Sequence, residues 1–247
     1  MTLQIYQNLI HGNLAKFNEQ VPDCFMGWNG DSIQLPDTGT HFGFVYSGHP
    51  VLYRHAGLQD YKLHSGMYFS LSGGGVVGGE NSSGFVVTCP TFKGVFMIGG
   101  EIESIGRLSY IDGGTDNVLI PPIMSGDPCL NALYFPPGVD QTIHSHPSYR
   151  LIMVVEGGGE CETPDGIIPL QPGMTIFIPA HHLHKFRTQG DNLTVVCFHP
   201  DSDTGFTHTN HPMLKRTMVA GISAANLPEI QTKRVINSER QVRTYPR

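Results

Sequence analysis

The chain of 247 residues contains 30 glycines and 18 prolines but only 15% charged residues, a composition typical of many short strands joined by tight turns. Its net charge of -6 argues against a nucleic-acid partner, which would favour a basic surface. No apolar run approaches the about 20 residues that span a bilayer, so no membrane segment is predicted.

The N-terminal residues and the cysteines bear on location. Residues 1–7 lack the basic stretch followed by an apolar stretch that marks a secretory signal. The cysteines are scattered without pair spacing, at Cys24, Cys89, Cys129, Cys161 and Cys197. Together these features predict a reduced, cytoplasmic protein.

The first half of the chain predicts an N-terminal arm, residues 1–40, and a small β domain, residues 41–125. Residues 3–19 are predicted to form a short helix or an irregular arm. Alternating or β-rich runs between turn residues predict strands at 41–46, 51–54, 67–71, 85–88, 94–98, 107–111 and 117–120. The turn sequence Ser125-Gly-Asp-Pro128 marks the end of this domain.

The second half predicts another β domain, residues 126–221, and a C-terminal tail, residues 222–247. Its strands are predicted at 130–135, 141–146, 150–155, 159–162, 166–170, 175–178, 184–188 and 193–199. The polar segment 201–212 has no periodicity and predicts a loop, and 213–220 predicts one more strand. The tail either wraps a partner subunit or stays mobile.

Two motifs in the second domain contain the candidate metal-ligating and substrate-binding residues. They read Gly138-x5-His144-x-His146-x3-Arg150-x6-Gly157 and Gly173-x5-Pro179-x-His181-x2-His184. His144 and His146 are two residues apart in an extended run and so face the same side, while His184 comes from a later strand. Neutral imidazole is the commonest protein ligand of iron, zinc, copper and nickel. The three histidines are therefore predicted to hold one metal ion and to leave positions open for substrate or water.

The two motifs resemble the paired motifs of the cupin superfamily, Gly-x5-His-x-His-x3or4-Glu-x6-Gly and Gly-x5-Pro-x-Gly-x2-His-x3-Asn. This chain departs from the pattern at three positions, with Arg150 for the glutamate ligand, His181 for a glycine and Thr188 for the final asparagine. The resemblance implies an all-β fold of double-stranded β-helix, or jelly-roll, barrels with a divalent metal site. It does not imply one reaction, because cupins perform many.

A weak internal repeat predicts a second, degenerate barrel. Residues 79–101 align without a gap with residues 138–160, at an offset of 59 (138 - 79). At the positions of His144, His146 and Arg150 the first copy then has Phe85, Val87 and Thr91. We therefore predict a two-barrel chain whose first barrel has no metal and serves packing, dimerisation or a wall of the second site. A chance match of glycine-rich turns is the alternative.

Arg150 changes what the site could do. A guanidinium has no acceptor atom and cannot be a metal ligand, and it would repel a bare cation. Its place beside the metal makes sense if an anion lies between the two, so Arg150 is predicted to bind and act on a substrate carboxylate. If the strand register slips, Arg150 instead points to solvent.

The other histidines are weaker candidates. His182 is a candidate catalytic residue and His181 a candidate substrate-binding residue, although both flank the Pro179 turn and fit the rim of a barrel as well. His199, His208 and His211 are predicted to be surface loop residues, with the alternative that one of them lines the entrance of the site.

The three-histidine set resembles that of the cupin iron dioxygenases that cleave gentisate and salicylate rings, and of the thiol dioxygenases. The leading prediction is an Fe(II) dioxygenase acting on a small carboxylate-bearing, possibly aromatic or thiol, substrate. The alternatives are a non-redox lyase, isomerase or hydrolase using zinc, nickel or manganese, and a ligand-binding barrel without turnover. A further alternative is a decayed site in which the histidines only hydrogen-bond within the barrel.

A homodimer is also predicted, because two-barrel sheets leave broad apolar faces and both terminal segments could cross a two-fold interface. Light scattering that finds a monomer over a wide concentration range would remove this prediction.

Overall fold

A computed structural model describes residues 2–16, 23–202 and 212–230, and it is nearly all β. The strands in the first half are β1 (Gln4–Tyr6), β2 (Gly12–Lys16), β3 (Cys24–Asn29), β4 (Ile33–Leu35), β5 (Thr40–Ser47), β6 (Val51–Arg54), β7 (Gln59–Lys62), β8 (Tyr68–Ser72), β9 (Gly75–Gly78), β10 (Ser83–Cys89), β11 (Met97–Gly99), β12 (Leu108–Ser109) and β13 (Thr115–Ile120). Those in the second half are β14 (Cys129–Phe135), β15 (Arg150–Gly157), β16 (Gly159–Thr163), β17 (Gly166–Leu170), β18 (Thr175–Ile178), β19 (Lys185–Arg187), β20 (Leu193–His199), β21 (Met218–Val219) and β22 (Ile222–Ser223).

In the described residues, helical structure is confined to three short 3-10 turns, at Ile111–Gly113, Pro212–Lys215 and Ala224–Asn226. Within the part of the chain that the structure describes, no helix has the length and apolar character needed to cross a membrane. The predicted helix at 3–19 is wrong over its described part, because β1 and β2 are strands. β1 pairs with β18, Gln4 opposite Phe177, and β2 pairs with β3. Tertiary pairing of this kind overrides a weak local pattern.

The strands form two pairs of sheets with the same arrangement. In the first pair, a six-stranded sheet (β11-β8-β5-β10-β3-β2) packs on a four-stranded sheet (β4-β9-β6-β7). In the second, a seven-stranded sheet (β1-β18-β15-β20-β14-β13-β12) packs on a three-stranded sheet (β17-β16-β19). The remaining strands, β21 and β22, pair only with each other.

Three apolar cores follow from the alternation of side chains along each strand. On β15, Ile152 and Val154 lie in a core inside the second pair of sheets, whereas Leu151 and Met153 lie in a core with residues of the six-stranded sheet. A third core, with Trp28 at its centre, fills the first pair. The two largest sheets thus cover each other within one chain.

The predicted offset of the internal repeat is wrong. Leu35 pairs with Gly75 in the first pair of sheets as His144 pairs with His184 in the second, and both offsets are 109 (144 - 35 and 184 - 75). The ladders of β5 and β15 extend this register and place His41 where the second copy has Arg150. The counterparts of His144 and Arg150 are therefore Leu35 and His41, not Phe85 and Thr91.

Sheet membership crosses the predicted boundaries at residues 41 and 126, and strand pairing crosses the one at residue 222, so the division into domains remains a prediction. β3 and β4, which precede residue 41, belong to the first pair of sheets, whereas β12 and β13, which precede residue 126, belong to the seven-stranded sheet. Most predicted strands are present. Residues 141–146 form only an isolated bridge at His144, and 213–220 form a turn and a two-residue strand. Residues 203–211 and 231–247, most of the predicted loop and tail, lie outside the described residues.

Phe85→Ala is expected to lower the free energy of unfolding by about 3–5 kcal/mol, through lost burial and a cavity. Phe85 is fully buried on β10, within 6.1 Å of Phe25 and 6.2 Å of Phe44 between ring centroids, in the core shared by the two large sheets. Denaturant unfolding measures the change. Leu58→Ala is the control, since Leu58 is 77% exposed and should change stability by less than about 0.5 kcal/mol. A similar small loss for Phe85→Ala would contradict this core.

Candidate metal centre

Three histidines converge at one end of the second pair of sheets. Their ring centroids lie 5.1 Å apart for His144 and His146, 4.7 Å for His144 and His184, and 5.2 Å for His146 and His184. One ligand nitrogen from each lies within 4.8 Å of the others. The bridge between His144 and His184, with N–H to carbonyl distances of 3.0 and 2.8 Å, holds the two segments together.

Backbone carbonyl groups orient two of the rings. Nδ1 of His144 lies 2.8 Å from the carbonyl oxygen of Thr142, and Nδ1 of His184 lies 2.9 Å from that of His182. A carbonyl oxygen only accepts hydrogen bonds, so Nδ1 has the proton in both rings and Nε2 keeps its lone pair. Contacts of this type fix the tautomer and orientation of metal-binding histidines.

The imidazoles of His146 and His184 are held in the neutral form. Burial, and then the charge of Arg150 and the two neighbouring imidazoles, lower the pKa of His146 to about 3. Burial also lowers the pKa of His184 to about 4, although the hydrogen bond to the His182 carbonyl opposes this shift. Neutral rings at pH 7 have the lone pair that a metal ion requires.

These residues fit a divalent transition-metal ion. Two metal–imidazole bonds of about 2.1 Å span at most about 4.2 Å, so atoms within 4.8 Å need only small side-chain movements to meet at one ion. Among the described residues, no other group of three histidine, cysteine or acidic side chains is close enough to hold a metal. In the first pair of sheets the counterparts of His144 and His184 are Leu35 and Gly75, which are not ligands.

Arg150 lines the same cavity as the three histidines. It is the first residue of β15 and is only 7% exposed, so the alternative in which it points to solvent does not apply. Nη1 donates to the Ser148 carbonyl (3.2 Å), the Ser148 hydroxyl (2.7 Å) and the Tyr149 carbonyl (2.9 Å). Nε is buried and has no hydrogen-bond partner within the described chain.

His181 and His182 are not among the residues that line the cavity. The His181 side chain is exposed, and its backbone has a φ of 60°, which explains why the related pattern favours glycine there. Nε2 of His182 lies 3.7 Å from Asp165 Oδ2. Their roles in substrate binding and catalysis stay predictions, but their backbones contribute: the His181 N–H donates to the His146 carbonyl at 2.7 Å.

Four polar side chains that the motifs did not indicate also line the cavity: Asp116, Asn131, Gln141 and His199. His199 follows Phe198 at the end of β20 and faces the cavity rather than the surface, so the predicted surface position is wrong. Alternation along β20 could have found it, because Cys197 and His199 share the inward face. His208 and His211 lie outside the described residues.

The cavity is small. Its volume of about 50 Å³ has room for a few water molecules. The space therefore suits a ligand of a few non-hydrogen atoms. Apolar walls come from Leu133, Phe135, Ile152 and Phe186.

Comparison with known families identifies the fold of this region. A family model described as a cupin domain matches residues 133–211, which include all three histidines and Arg150. Residues 133–211 of the chain thus form a cupin domain. No curated protein sequence matches the chain.

Solved structures agree with the cupin fold at low identity. A cupin 2 conserved barrel domain protein from Leptotrichia buccalis is 11% identical, with 80% of this chain and 88% of that one covered and a TM-score of 0.55. Protein Ylba from E. coli is 16% identical, with 83% and 93% covered and a TM-score of 0.57. Salicylate 1,2-dioxygenase from Pseudaminobacter salicylatoxidans is 9% identical, with 76% and 75% covered and a TM-score of 0.57. At these identities the likeness extends to the fold only.

Proposed function

We propose that this cupin is a metal-dependent enzyme acting on a small carboxylate-bearing substrate, and that its reaction is an Fe(II)-dependent dioxygenation. The observation that supports this best is a buried arginine that lines one cavity with three imidazoles. A buried cation near a metal site needs an anionic partner, because an unpaired buried charge is costly.

Arg150 binds the substrate carboxylate in this proposal. Its Nη1 is held by the backbone at Ser148 and Tyr149, so the guanidinium is fixed before substrate enters. Its Nε is a donor without a partner in the described structure and is free to donate to a carboxylate oxygen. A hydrogen bond between two charged groups is about twice as strong as a neutral one.

His144, His146 and His184 hold the metal ion through nitrogen lone pairs. The bound ion would supply Lewis-acid chemistry and, as Fe(II), the capacity to bind O2. Three neutral ligands leave its charge uncompensated, unlike a set that includes glutamate. This favours an anionic substrate, which the charge of Arg150 attracts as well.

The salicylate dioxygenase neighbours support the reaction type, and one of their structures is in complex with gentisate. We extend only the class of reaction to this chain. The small cavity and its polar walls favour a substrate smaller than an aromatic acid.

A second candidate is a non-redox lyase, isomerase or hydrolase at the same site. Asp116 favours it, because burial raises the pKa of this carboxyl group and its Oδ1 has no hydrogen-bond partner among the described residues. A carboxyl group with a raised pKa in a cavity is suited to proton transfer. Zinc, nickel or manganese would serve such a reaction.

Metal analysis combined with oxygen uptake separates the two candidates. Full-length protein should contain about one metal per chain. Iron-loaded protein should consume O2 in the presence of a small carboxylic acid, and zinc-loaded protein should not. Turnover by the zinc or manganese form without O2 uptake would favour the non-redox candidate. Binding without turnover by any form would leave a ligand-binding barrel.

The homodimer, the cytoplasmic location and the lack of a nucleic-acid partner stay predictions. The N-terminal arm is one of the two segments that the dimer prediction placed across an interface. Its strand β1 pairs with β18 of the same chain.

A further inference from the structure

The cavity beside the histidines concentrates buried polar atoms that have no partner. Ten buried side-chain nitrogen or oxygen atoms in the described residues make no hydrogen bond, and five of them belong to side chains that line this cavity. They are Asp116 Oδ1, Asn131 Oδ1, Gln141 Nε2, Arg150 Nε and His199 Nε2. Buried polar atoms nearly always have partners, so a cluster of this size points to a ligand that supplies them.

Neighbouring contacts decide which of these atoms accept and which donate. Asn131 Nδ2 donates to Asp116 Oδ2 at 2.8 Å, so the amide oxygen of Asn131 is the atom left over. The Phe186 N–H donates to Gln141 Oε1 at 3.1 Å, which leaves the NH2 group of Gln141. Arg150 Nε can only donate. The cavity thus offers two acceptors, on Asp116 and Asn131, and two donors, on Gln141 and Arg150.

The acceptors and donors come from different parts of the sheet. Asp116 and Asn131 lie on β13 and β14, which are neighbours, whereas Arg150 lies on β15, which β20 separates from β14. Asp116 and Arg150 have side chains of opposite charge type and line the same cavity. Three of the four side chains are at least nine-tenths buried: Asn131 is 8% exposed, Gln141 1% and Arg150 7%.

We propose that the substrate is a small acid that also has an N–H donor group, an ammonium or a primary amide. This inference rests on the proposed function, since Arg150 binds the carboxylate and Gln141, which lines the same cavity, donates to it as well. Asp116 and Asn131 then accept hydrogen bonds from the nitrogen group at the other end. Burial raises the pKa of Asp116, so its charge lacks compensation, and an ammonium group would supply it.

The test uses ligand pairs of equal size that differ only in the N–H group. Full-length zinc-loaded protein is titrated by calorimetry with β-alanine against butyrate, and with succinamate against levulinate. Each nitrogen compound should bind about tenfold or more tightly than its methyl counterpart, because a hydrogen bond to a charged group is worth at least that factor. Asp116→Asn should remove most of the β-alanine preference, and Asn131→Leu most of the succinamate preference.

The comparison of succinamate with levulinate and the Asn131→Leu variant guard against two artefacts. A primary amide is a poor metal ligand, so the succinamate preference does not come from the zinc ion. If Asp116→Asn fails to fold, as judged by its thermal melt, Asn131→Leu still tests the inference. Equal affinities within both pairs, or preferences that persist in the folded variants, would overturn the inference and leave the anion site in place. If none of the four acids binds, the proposed function itself fails.

Discussion

His144→Ala is expected to remove most of the metal from the purified protein, and His184→Ala should do the same. Two imidazoles bind an exchangeable ion far more weakly than three, because each lost ligand removes both a bond and the arrangement that fixes the others. The structure adds a second reason. A backbone bridge joins the segments of His144 and His184, and backbone carbonyl groups orient both imidazole rings. The site is therefore arranged before metal binds. Elemental analysis after dialysis measures the loss.

His182→Ala is the matched control for this experiment. The substitution removes an imidazole next to the site but keeps the backbone carbonyl that orients His184. Metal content should therefore stay close to that of the unmodified protein. Full retention of metal in a variant with both His144→Ala and His146→Ala would contradict the assignment of the metal centre.

The sequence predicted that the three histidines converge, because their spacing is local. His144 and His146 need only an extended backbone to face one side, and the family pattern supplied His184. Arg150 was found by the same motif, and its inward direction followed from the period of two along a strand. The segment that holds His144 and His146 is not a regular strand, although one backbone bridge is enough to orient it.

The register of the internal repeat could not be found in the same way. Glycine-rich turns recur along this chain, so they align at several offsets, whereas the true correspondence depends on which strands pair across a sheet. Leu35 and Gly75 replace two histidines in the first copy, and His41 replaces Arg150. At these positions the two copies have different residue types, so the alignment has little identity to detect there.

The polar walls of the cavity were missed for a related reason. Asp116 and Asn131 lie on two strands on either side of the predicted domain boundary, and only sheet pairing brings them together. A polar residue in a strand is predicted to face solvent when the position of the opposite sheet is unknown. His199 was misjudged because it is the last residue of β20, next to a polar segment.

Arg150→Glu is expected to abolish turnover while metal binding is retained or strengthened. The substitution restores the glutamate of the usual cupin pattern and places a carboxylate in the cavity with the three imidazoles. An additional anionic ligand should hold a divalent ion at least as well. The same charge repels a substrate carboxylate, and the donor at Nε is lost. Arg150→Ala should keep metal and weaken substrate binding by about 1.5–3 kcal/mol, the scale of a hydrogen bond to a charged group.

Arg150 also holds the backbone at Ser148 and Tyr149, so a matched control must separate support from substrate binding. Ser148→Ala removes the hydroxyl contact of Nη1 and leaves Nε in place. If Arg150 binds substrate directly, Ser148→Ala should change substrate affinity much less than Arg150→Ala, with both proteins showing the same far-ultraviolet circular dichroism as the unmodified chain. Equal losses in the two variants would assign Arg150 a structural role through Ser148. A glutamate variant that turns over substrate at the original rate would show that no anion binds between Arg150 and the metal.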